Sequence, residues 1–255
     1  MSFLERVREL KLKSLNFSPE YLKFLKREAE KCEPKPFEEA LKGKGVKVIA
    51  EVKKASPSLG TIKEVDPAKQ AKLYEQGGAR AVSVLTESRY FNGSLEDLKR
   101  VRAAVSLPVL RKDFIVSEHE LLEARAFGAD AVLLIVAMLT PDELKHFIKM
   151  AYELELTPLV EVFSLEEGLR ALEAGARVLG VNNRDLKTLK VDLSVGERLV
   201  PALKEAGAPL VVAESGIETK EDLNRLARAG ADAFLIGTAL MKSGNPLKKL
   251  RELIQ

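Results

Sequence analysis

Eight short apolar segments alternate with helical segments between residues 46 and 255, and this alternation predicts an α/β fold. Near-continuous apolar strands of this kind are typical of a parallel sheet whose outer side is covered by helices. Eight strand–helix units favour closure into a (β/α)8 TIM barrel over an open doubly wound sheet. No dinucleotide-binding fingerprint follows a strand, because Gly43-Lys44-Gly45 precedes the first strand.

Four of the predicted strands follow a Gly-Ala pair, whose glycine stands where a helix ends in a left-handed residue. Those pairs begin at Gly78, Gly128, Gly175 and Gly230. The other four predicted strands cover residues 46–52, 107–112, 157–162 and 209–214. Helices are predicted between the strands, with capping residues at Asp66, Thr140, Ser164 and Thr219.

The first 45 residues do not fit the barrel pattern. Apolar residues recur at helical spacing in residues 3–10 and again in residues 21–25. This segment is too short to bury a core of its own. We therefore predict an N-terminal helical extension, residues 1–45, packed on a barrel of residues 46–255 within a single domain.

Charge and cysteine content argue against several classes of protein. The 255 residues carry 41 Lys and Arg against 38 Asp and Glu, too balanced a charge to indicate a nucleic-acid partner. A single cysteine, Cys32, rules out an internal disulfide framework and fits a reducing cytosol. We see neither a signal-peptide pattern nor an apolar run long enough to span a membrane. We expect a cytoplasmic monomer, and the charged, tryptophan-free composition favours thermostability.

Two charged residues share one face of the first predicted strand. Side chains alternate along a strand, so Glu51 and Lys53 lie on the same face as Ile49. Burying an unpaired charge is costly, so such residues persist when they are paired, hydrogen-bonded or functional. The two residues form either a structural ion pair or an acid–base pair at a barrel mouth, and the other strand ends favour the second interpretation.

Barrel enzymes carry their catalytic groups at the C-terminal ends of the strands. Further polar residues at those ends are Lys112, Glu161, Asn182, Arg184 and Glu214. Mixed charges in a closed mouth separate pKa values, which is how general acids and bases arise. Burial and a neighbouring cation are expected to lower the pKa of a lysine here towards neutrality.

Glycines follow the last two strands, at Ser215-Gly216 and Gly237-Thr238. Exposed backbone N–H groups and a helix start at such loops predict a phosphate site, with ordinary turn glycines as the alternative. No metal site is expected, because the only histidines, His119 and His146, fall in predicted helices away from the strand ends.

Several segments together resemble one family, indole-3-glycerol phosphate synthase, over essentially the whole chain. They are Glu51-Val52-Lys53-Lys54-Ala55-Ser56-Pro57-Ser58, Ser83-Val84-Leu85-Thr86-Glu87, Tyr90-Phe91-Asn92-Gly93, Arg111-Lys112-Asp113-Phe114, Leu159-Val160-Glu161-Val162, Gly180-Val181-Asn182-Asn183-Arg184-Asp185-Leu186 and Ala213-Glu214-Ser215-Gly216-Ile217. The resemblance implies conversion of 1-(2-carboxyphenylamino)-1-deoxyribulose 5-phosphate into indole-3-glycerol phosphate, with loss of CO2 and water, in tryptophan biosynthesis. It implies no cofactor and no metal.

The resemblance also implies roles for individual residues. Lys112 is the acid for ring closure, and Lys53 and Glu161 serve dehydration with their division of labour open. Glu51 orients the two lysines, and Asn182 and Arg184 hold the substrate's hydroxyl and carboxylate groups. Substrate contacts are further implied for Ser56, Asn92, Phe114 and Glu214, and phosphate contacts for Lys53, Ser56, Ser215, Gly216, Gly237 and Thr238. The loop of residues 54–62 is expected to close over the substrate.

Two departures from the family pattern and two alternatives stay open. Thr238 stands where the family often has serine, and the extension lacks the tryptophan of some relatives, with Phe3 a candidate replacement. A phosphoribosylanthranilate isomerase barrel would need a catalytic cysteine, and no predicted strand ends in one. A barrel that binds a phosphate ligand without turnover is the non-enzymatic alternative.

Overall fold

In the computed structural model, which describes residues 2–255, eight parallel strands close into a barrel. The barrel strands are β1 Val48–Val52, β4 Ala81–Leu85, β5 Val109–Lys112, β6 Ala131–Ile135, β7 Thr157–Val162, β8 Val178–Asn182, β9 Leu210–Glu214 and β10 Ala233–Ile236. A short antiparallel pair, β2 Ala55–Ser56 and β3 Gly60–Thr61, follows β1. Pairing of β10 with β1 closes the ring, which confirms the predicted (β/α)8 barrel.

Helices cover the outside of the barrel and both of its ends. They are α1 Phe3–Ser14, α2 Pro19–Glu30, α3 Phe37–Ala40, α4 Pro67–Gly77, α5 Ser88–Phe91, α6 Leu95–Ala104, α7 Glu118–Ala126, α8 Pro141–Glu153, α9 Leu165–Glu173, α10 Ser194–Glu205, α11 Lys220–Arg228, α12 Thr238–Lys242 and α13 Pro246–Ile254, with a 3₁₀ turn at Val136–Met138. The predicted caps form, since Asp66 accepts from the first turn of α4 and Thr140 makes a capping box with Glu143.

The four glycines that precede strands are left-handed, as predicted. Gly78, Gly128, Gly175 and Gly230 have φ values between +93° and +104°. At each of them the chain reverses directly from a helix into a strand, and a residue with a Cβ would be strained in this conformation.

Two apolar layers follow from the alternation of side chains along the strands. The outer layer packs strand residues such as Val82 and Val160 against the helices. The inner layer fills the barrel with the opposite face of the strands, for example Ile49, Leu110 and Leu159. The charged residues of that inward face lie at or next to the strand ends.

The N-terminal helices reach both ends of the barrel. Phe3, Leu4 and Val7 of α1 pack with the inner layer near Phe114, beyond the end of β5. Phe37 of α3 belongs to the same layer at the opposite end, where the nearby Lys35 N–H donates to Asp130, just before β6 (2.7 Å). The division into an extension of residues 1–45 and a barrel of residues 46–255 stays a prediction.

We expect Phe37→Ala to destabilise the protein by about 3–5 kcal/mol, because it leaves a cavity at the closed end of the inner layer. The side chain is buried, at 1% exposure. Phe24→Ala on α2, where the phenylalanine is 39% exposed, is the matched control and should change stability by no more than about 0.5 kcal/mol. Urea unfolding measures both, and equal effects would contradict the placement of Phe37.

Candidate active site

Charged side chains from four strands converge at the C-terminal mouth of the barrel. Glu51 lies on β1, Lys112 ends β5, Glu161 lies on β7 and Glu214 ends β9. Because these positions face inward at the same end of a closed sheet, their side chains share one interior. Lys53, Lys112 and Glu161 line a cavity that opens to solvent, and Glu51 and Glu214 line an adjoining one.

Glu51 is the centre of this cluster. Its Oε2 lies 3.2 Å from Lys112 Nζ and accepts from the Ser83 hydroxyl at 3.0 Å, and its Oε1 lies 3.5 Å from Lys53 Nζ. Burial alone would raise the pKa of Glu51, but the charges of Lys112 and Lys53 lower it below its ordinary value. Glu51 is therefore ionised between two ammonium groups.

The two lysines are tuned in opposite directions. Burial lowers the pKa of Lys53, and the charges of Lys112 and Arg184 add to this effect against the attraction of Glu51. Burial also acts to lower the pKa of Lys112, but the charges of Glu51, Glu214 and Glu161 outweigh it and raise that pKa. The prediction that a lysine at the mouth has a lowered pKa is therefore correct in direction for Lys53 and wrong for Lys112.

Glu161 and Glu214 are both buried, and each carboxyl group influences the pKa of the other. Burial raises the pKa of both, and the negative charge of Glu161 raises that of Glu214 well above its ordinary value. Asn182 Nδ2 donates to Glu161 Oε1 at 3.2 Å. Gly180 makes room for the pair, because a Cβ there would lie 2.0 Å from Glu214 Oε1.

An apolar wall faces the charged cluster across the cavity. Phe114 has its ring centre 6.1 Å from that of Phe3 on α1 and 6.1 Å from that of Phe91. Leu133 and Ile135 of β6 complete the wall. Sequence reasoning missed the two β6 residues because it searched strand ends for polar groups, although their inward alternation with Leu134 was visible. Phe3, the candidate replacement for an aromatic residue of the extension, does line the cavity.

A second cavity, next to the first, lies between the loops after β9 and β10. Ser215, Gly216, Gly237 and Thr238 line it together with Lys53, Lys112 and Arg184. Ser215 and Gly216 are both left-handed, with φ of +68° and +82°. Thr238 begins α12, so backbone N–H groups of a helix start lie at this cavity. Ser56 lines the first cavity and is not among the residues that line the second.

One predicted substrate-binding residue lies apart from both cavities. Asn92 is exposed and follows the last residue of α5 in a left-handed conformation (φ +52°). Its substrate contact stays a prediction. Its neighbour Phe91 lines the first cavity instead. His119 and His146 lie on α7 and α8, and no cluster of His, Cys, Asp or Glu in residues 2–255 is arranged to hold a metal ion.

The fold and the mouth define a (β/α)8-barrel protein whose C-terminal mouth holds a buried cluster of lysines and carboxylates. A family model described as indole-3-glycerol phosphate synthase matches residues 4–253. The chain belongs to the indole-3-glycerol phosphate synthase family.

Similar proteins support this assignment over the full length. The indole-3-glycerol phosphate synthase of Aquifex aeolicus is 55% identical over 255 residues, which cover 100% of this chain and 99% of the relative. That of Mycobacteroides abscessus is 52% identical over 229 residues, 89% of this chain and 84% of the relative. A thiamine phosphate pyrophosphorylase from Pyrococcus furiosus superposes with a TM-score of 0.60 at 21% identity, over 82% of this chain and 93% of that one, and shows the fold alone. No helix within residues 2–255 is long and apolar enough to cross a membrane.

The raised pKa of Glu214 predicts a pH-dependent effect on stability. A carboxyl whose folded pKa is raised stabilises the fold at low pH, and this contribution is lost as pH rises from the ordinary glutamate value through the folded one. Glu214→Gln cannot ionise, so its free energy of unfolding relative to the parent should rise by on the order of 1 kcal/mol between about pH 5 and about pH 8.

Urea unfolding at the two pH values measures this difference. Glu173→Gln, on the exposed side of α9, is the control for removal of a glutamate charge and should show no such change. A constant difference between Glu214→Gln and the parent across this range would mean that Glu214 does not titrate there.

Proposed function

We propose that the protein catalyses the indole-3-glycerol phosphate synthase reaction by lysine and glutamate acid–base chemistry. The substrate is 1-(2-carboxyphenylamino)-1-deoxyribulose 5-phosphate, which undergoes ring closure, decarboxylation and dehydration. The observation that carries the mechanism is that Lys112 and Lys53, which line the cavity walled by aromatic side chains, both pair with one buried carboxylate, Glu51.

The two cavities suit the two ends of this substrate. The backbone N–H groups around Ser215-Gly216 and Gly237-Thr238 bind the phosphate, with Lys53 as its cation. The aromatic ring packs against Phe114 and the apolar wall, and Arg184, which lines the same cavity, pairs with its carboxylate. Asn182 and Glu214 bind the hydroxyl groups of the chain between the two ends.

Ring closure requires a proton donor at the ribulose carbonyl while the aromatic carbon attacks it. The raised pKa of Lys112 keeps its ammonium group charged near neutral pH. That group therefore donates a hydrogen bond to the carbonyl oxygen and transfers a proton as the oxygen becomes a hydroxyl. Glu51 keeps the ammonium group in place.

Decarboxylation follows without a dedicated base. The new carbon–carbon bond interrupts the aromaticity of the ring at the carbon that carries the carboxylate. Loss of CO2 restores it, because the electrons of the broken bond return to the ring. The protein only has to hold the carboxylate, which is the task of Arg184.

Dehydration requires an acid at the leaving hydroxyl and a base for a ring-side proton. The lowered pKa of Lys53 makes it the better proton donor of the two lysines. The raised pKa of Glu161 makes its carboxylate a stronger base than an ordinary glutamate. We therefore assign the acid to Lys53 and the base to Glu161.

Lys112→Ala should lower the single-turnover rate by about 100-fold or more, because it removes the ring-closure acid. The assay follows indole fluorescence after mixing with the carboxyphenylamino-deoxyribulose phosphate. Lys99→Ala, on the exposed side of α6 and away from both cavities, is the matched control for removal of a lysine.

The other outcomes of that assay are also informative. Similar rates for the parent and Lys112→Ala would remove Lys112 from the acid role and leave Lys53 as the candidate. Tight binding of the substrate by the parent without product would indicate a phosphate-binding barrel without turnover.

The ionised Glu51 should control the alkaline limb of the pH–rate profile. Lys112 and Lys53 act as acids only while protonated, so activity is lost as pH rises through their pKa values. The negative charge of Glu51 raises the pKa values of both lysines, and Glu51→Gln removes it. The alkaline limb of the kcat/KM profile should therefore shift to lower pH by roughly 1–3 units. Glu64→Gln, an exposed carboxylate after β3, is the control. An unmoved limb would show that neither lysine sets it.

A further inference from the structure

Asn183 is a buried side chain beside the site to which neither the sequence motifs nor the proposed chemistry assigns a role. It directly follows Asn182, the last residue of β8, and is 1% exposed. Its Nδ2 donates to the carbonyl oxygens of Glu214 (3.0 Å) and Ser215 (3.2 Å), and its Oδ1 accepts from the Gly196 N–H at 2.8 Å. The side chain thus joins the phosphate loop after β9 to the first turn of α10.

The phosphate loop needs this support. Ser215 and the following Gly216 are both left-handed, and this conformation is unfavourable for a residue with a Cβ such as Ser215. The amide of Asn183 holds the carbonyl groups of Glu214 and Ser215, so it fixes the peptide planes that orient the N–H groups of this loop.

The backbone of Asn183 also holds the loop that carries Arg184. The Asn183 carbonyl oxygen accepts from the Asp192 N–H at 2.9 Å, which ties down the far end of this loop. Within the loop, Arg184 Nη1 donates to the Leu189 carbonyl at 2.8 Å. Val191 packs over the phosphate loop, because a Cβ on Gly216 would lie 2.3 Å from Val191 Cγ1.

We propose that Asn183 is a positioning residue that couples phosphate binding at Ser215-Gly216 to the position of the Arg184 loop, residues 184–192. Phosphate that orders the Ser215 backbone also orders the Asn183 amide, and through Asp192 and Val191 the loop above it. The two ends of the substrate are then recognised by one hydrogen-bonded unit. This inference rests on the phosphate site proposed above.

The test is titration calorimetry with inorganic phosphate, followed by steady-state kinetics. Asn183→Asp keeps the shape but replaces the donor by a carboxylate that faces two carbonyl oxygens. We expect phosphate binding to weaken roughly ten-fold or more, with a rise in KM that exceeds the fall in kcat.

The matched control removes a side-chain hydrogen bond at the opposite end of β9, the strand whose C-terminal carbonyl groups accept from Asn183. Asp232 Oδ2 accepts from the Val211 N–H at 2.8 Å near the start of β9. Asp232→Ala removes a side-chain bond to the β9 backbone but should leave phosphate affinity within about two-fold of the parent. Equal weakening by both variants would make Asn183 an ordinary structural residue and overturn the inference.

Hydrogen exchange on the parent protein tests the coupling without a variant. Inorganic phosphate should slow exchange of the Asp192 and Gly196 amides, which donate to the two oxygens of Asn183. Phosphate binding without that protection, or unaltered binding by Asn183→Asp, would overturn the coupling alone. No phosphate binding by the parent would overturn the proposed phosphate site and this inference with it.

Discussion

The ionised carboxylate of Glu51 is the interaction on which the site depends. Two buried ammonium groups cannot share a barrel mouth unless a negative charge lies between them, because each would otherwise bear the full cost of its desolvation. Glu51 forms ion pairs with both lysines, and it accepts a hydrogen bond from Ser83 on the neighbouring strand. The same arrangement gives the two lysines different pKa values. The negative charges of Glu161 and Glu214 help to raise the pKa of Lys112, whereas the positive charges of Lys112 and Arg184 help to lower the pKa of Lys53.

Glycine makes the carboxylate cluster sterically possible. A Cβ on Gly237 would lie 2.7 Å from Glu51 Oε1, and one on Gly180 would lie 2.0 Å from Glu214 Oε1. Both glycines face inward, where a small residue leaves space for the long side chain of a neighbouring strand. The barrel mouth therefore alternates glutamates and glycines, and the cavity above them stays open for a ligand.

Much of this site follows from the period of a strand. Alternation alone places Glu51, Lys112, Glu161 and Glu214 on the inward face, and the structure brings them together. The direction of the Lys112 pKa could not be predicted in this way, because it depends on charges that meet only when strands distant in sequence close into a barrel. The role of Asn183 could not be predicted for a related reason, since the hydrogen-bond partners of its side chain lie 13 to 32 residues away along the chain.

The N-terminal helix α1 contributes a charged contact as well as an apolar one at the barrel mouth. Lys11 of α1 reaches Asp113, the residue after Lys112, with its Nζ 3.1 Å from the carboxylate. Asp113 also accepts from the Phe114 N–H at 2.7 Å, and Phe114 packs against Phe3 at the start of the same helix. The helix α1 thus contacts this segment at two consecutive residues, through the ion pair with Asp113 and the aromatic contact with Phe114. Since Lys112 ends β5 immediately before Asp113, these contacts of α1 restrain the segment that presents Lys112 to the cavity.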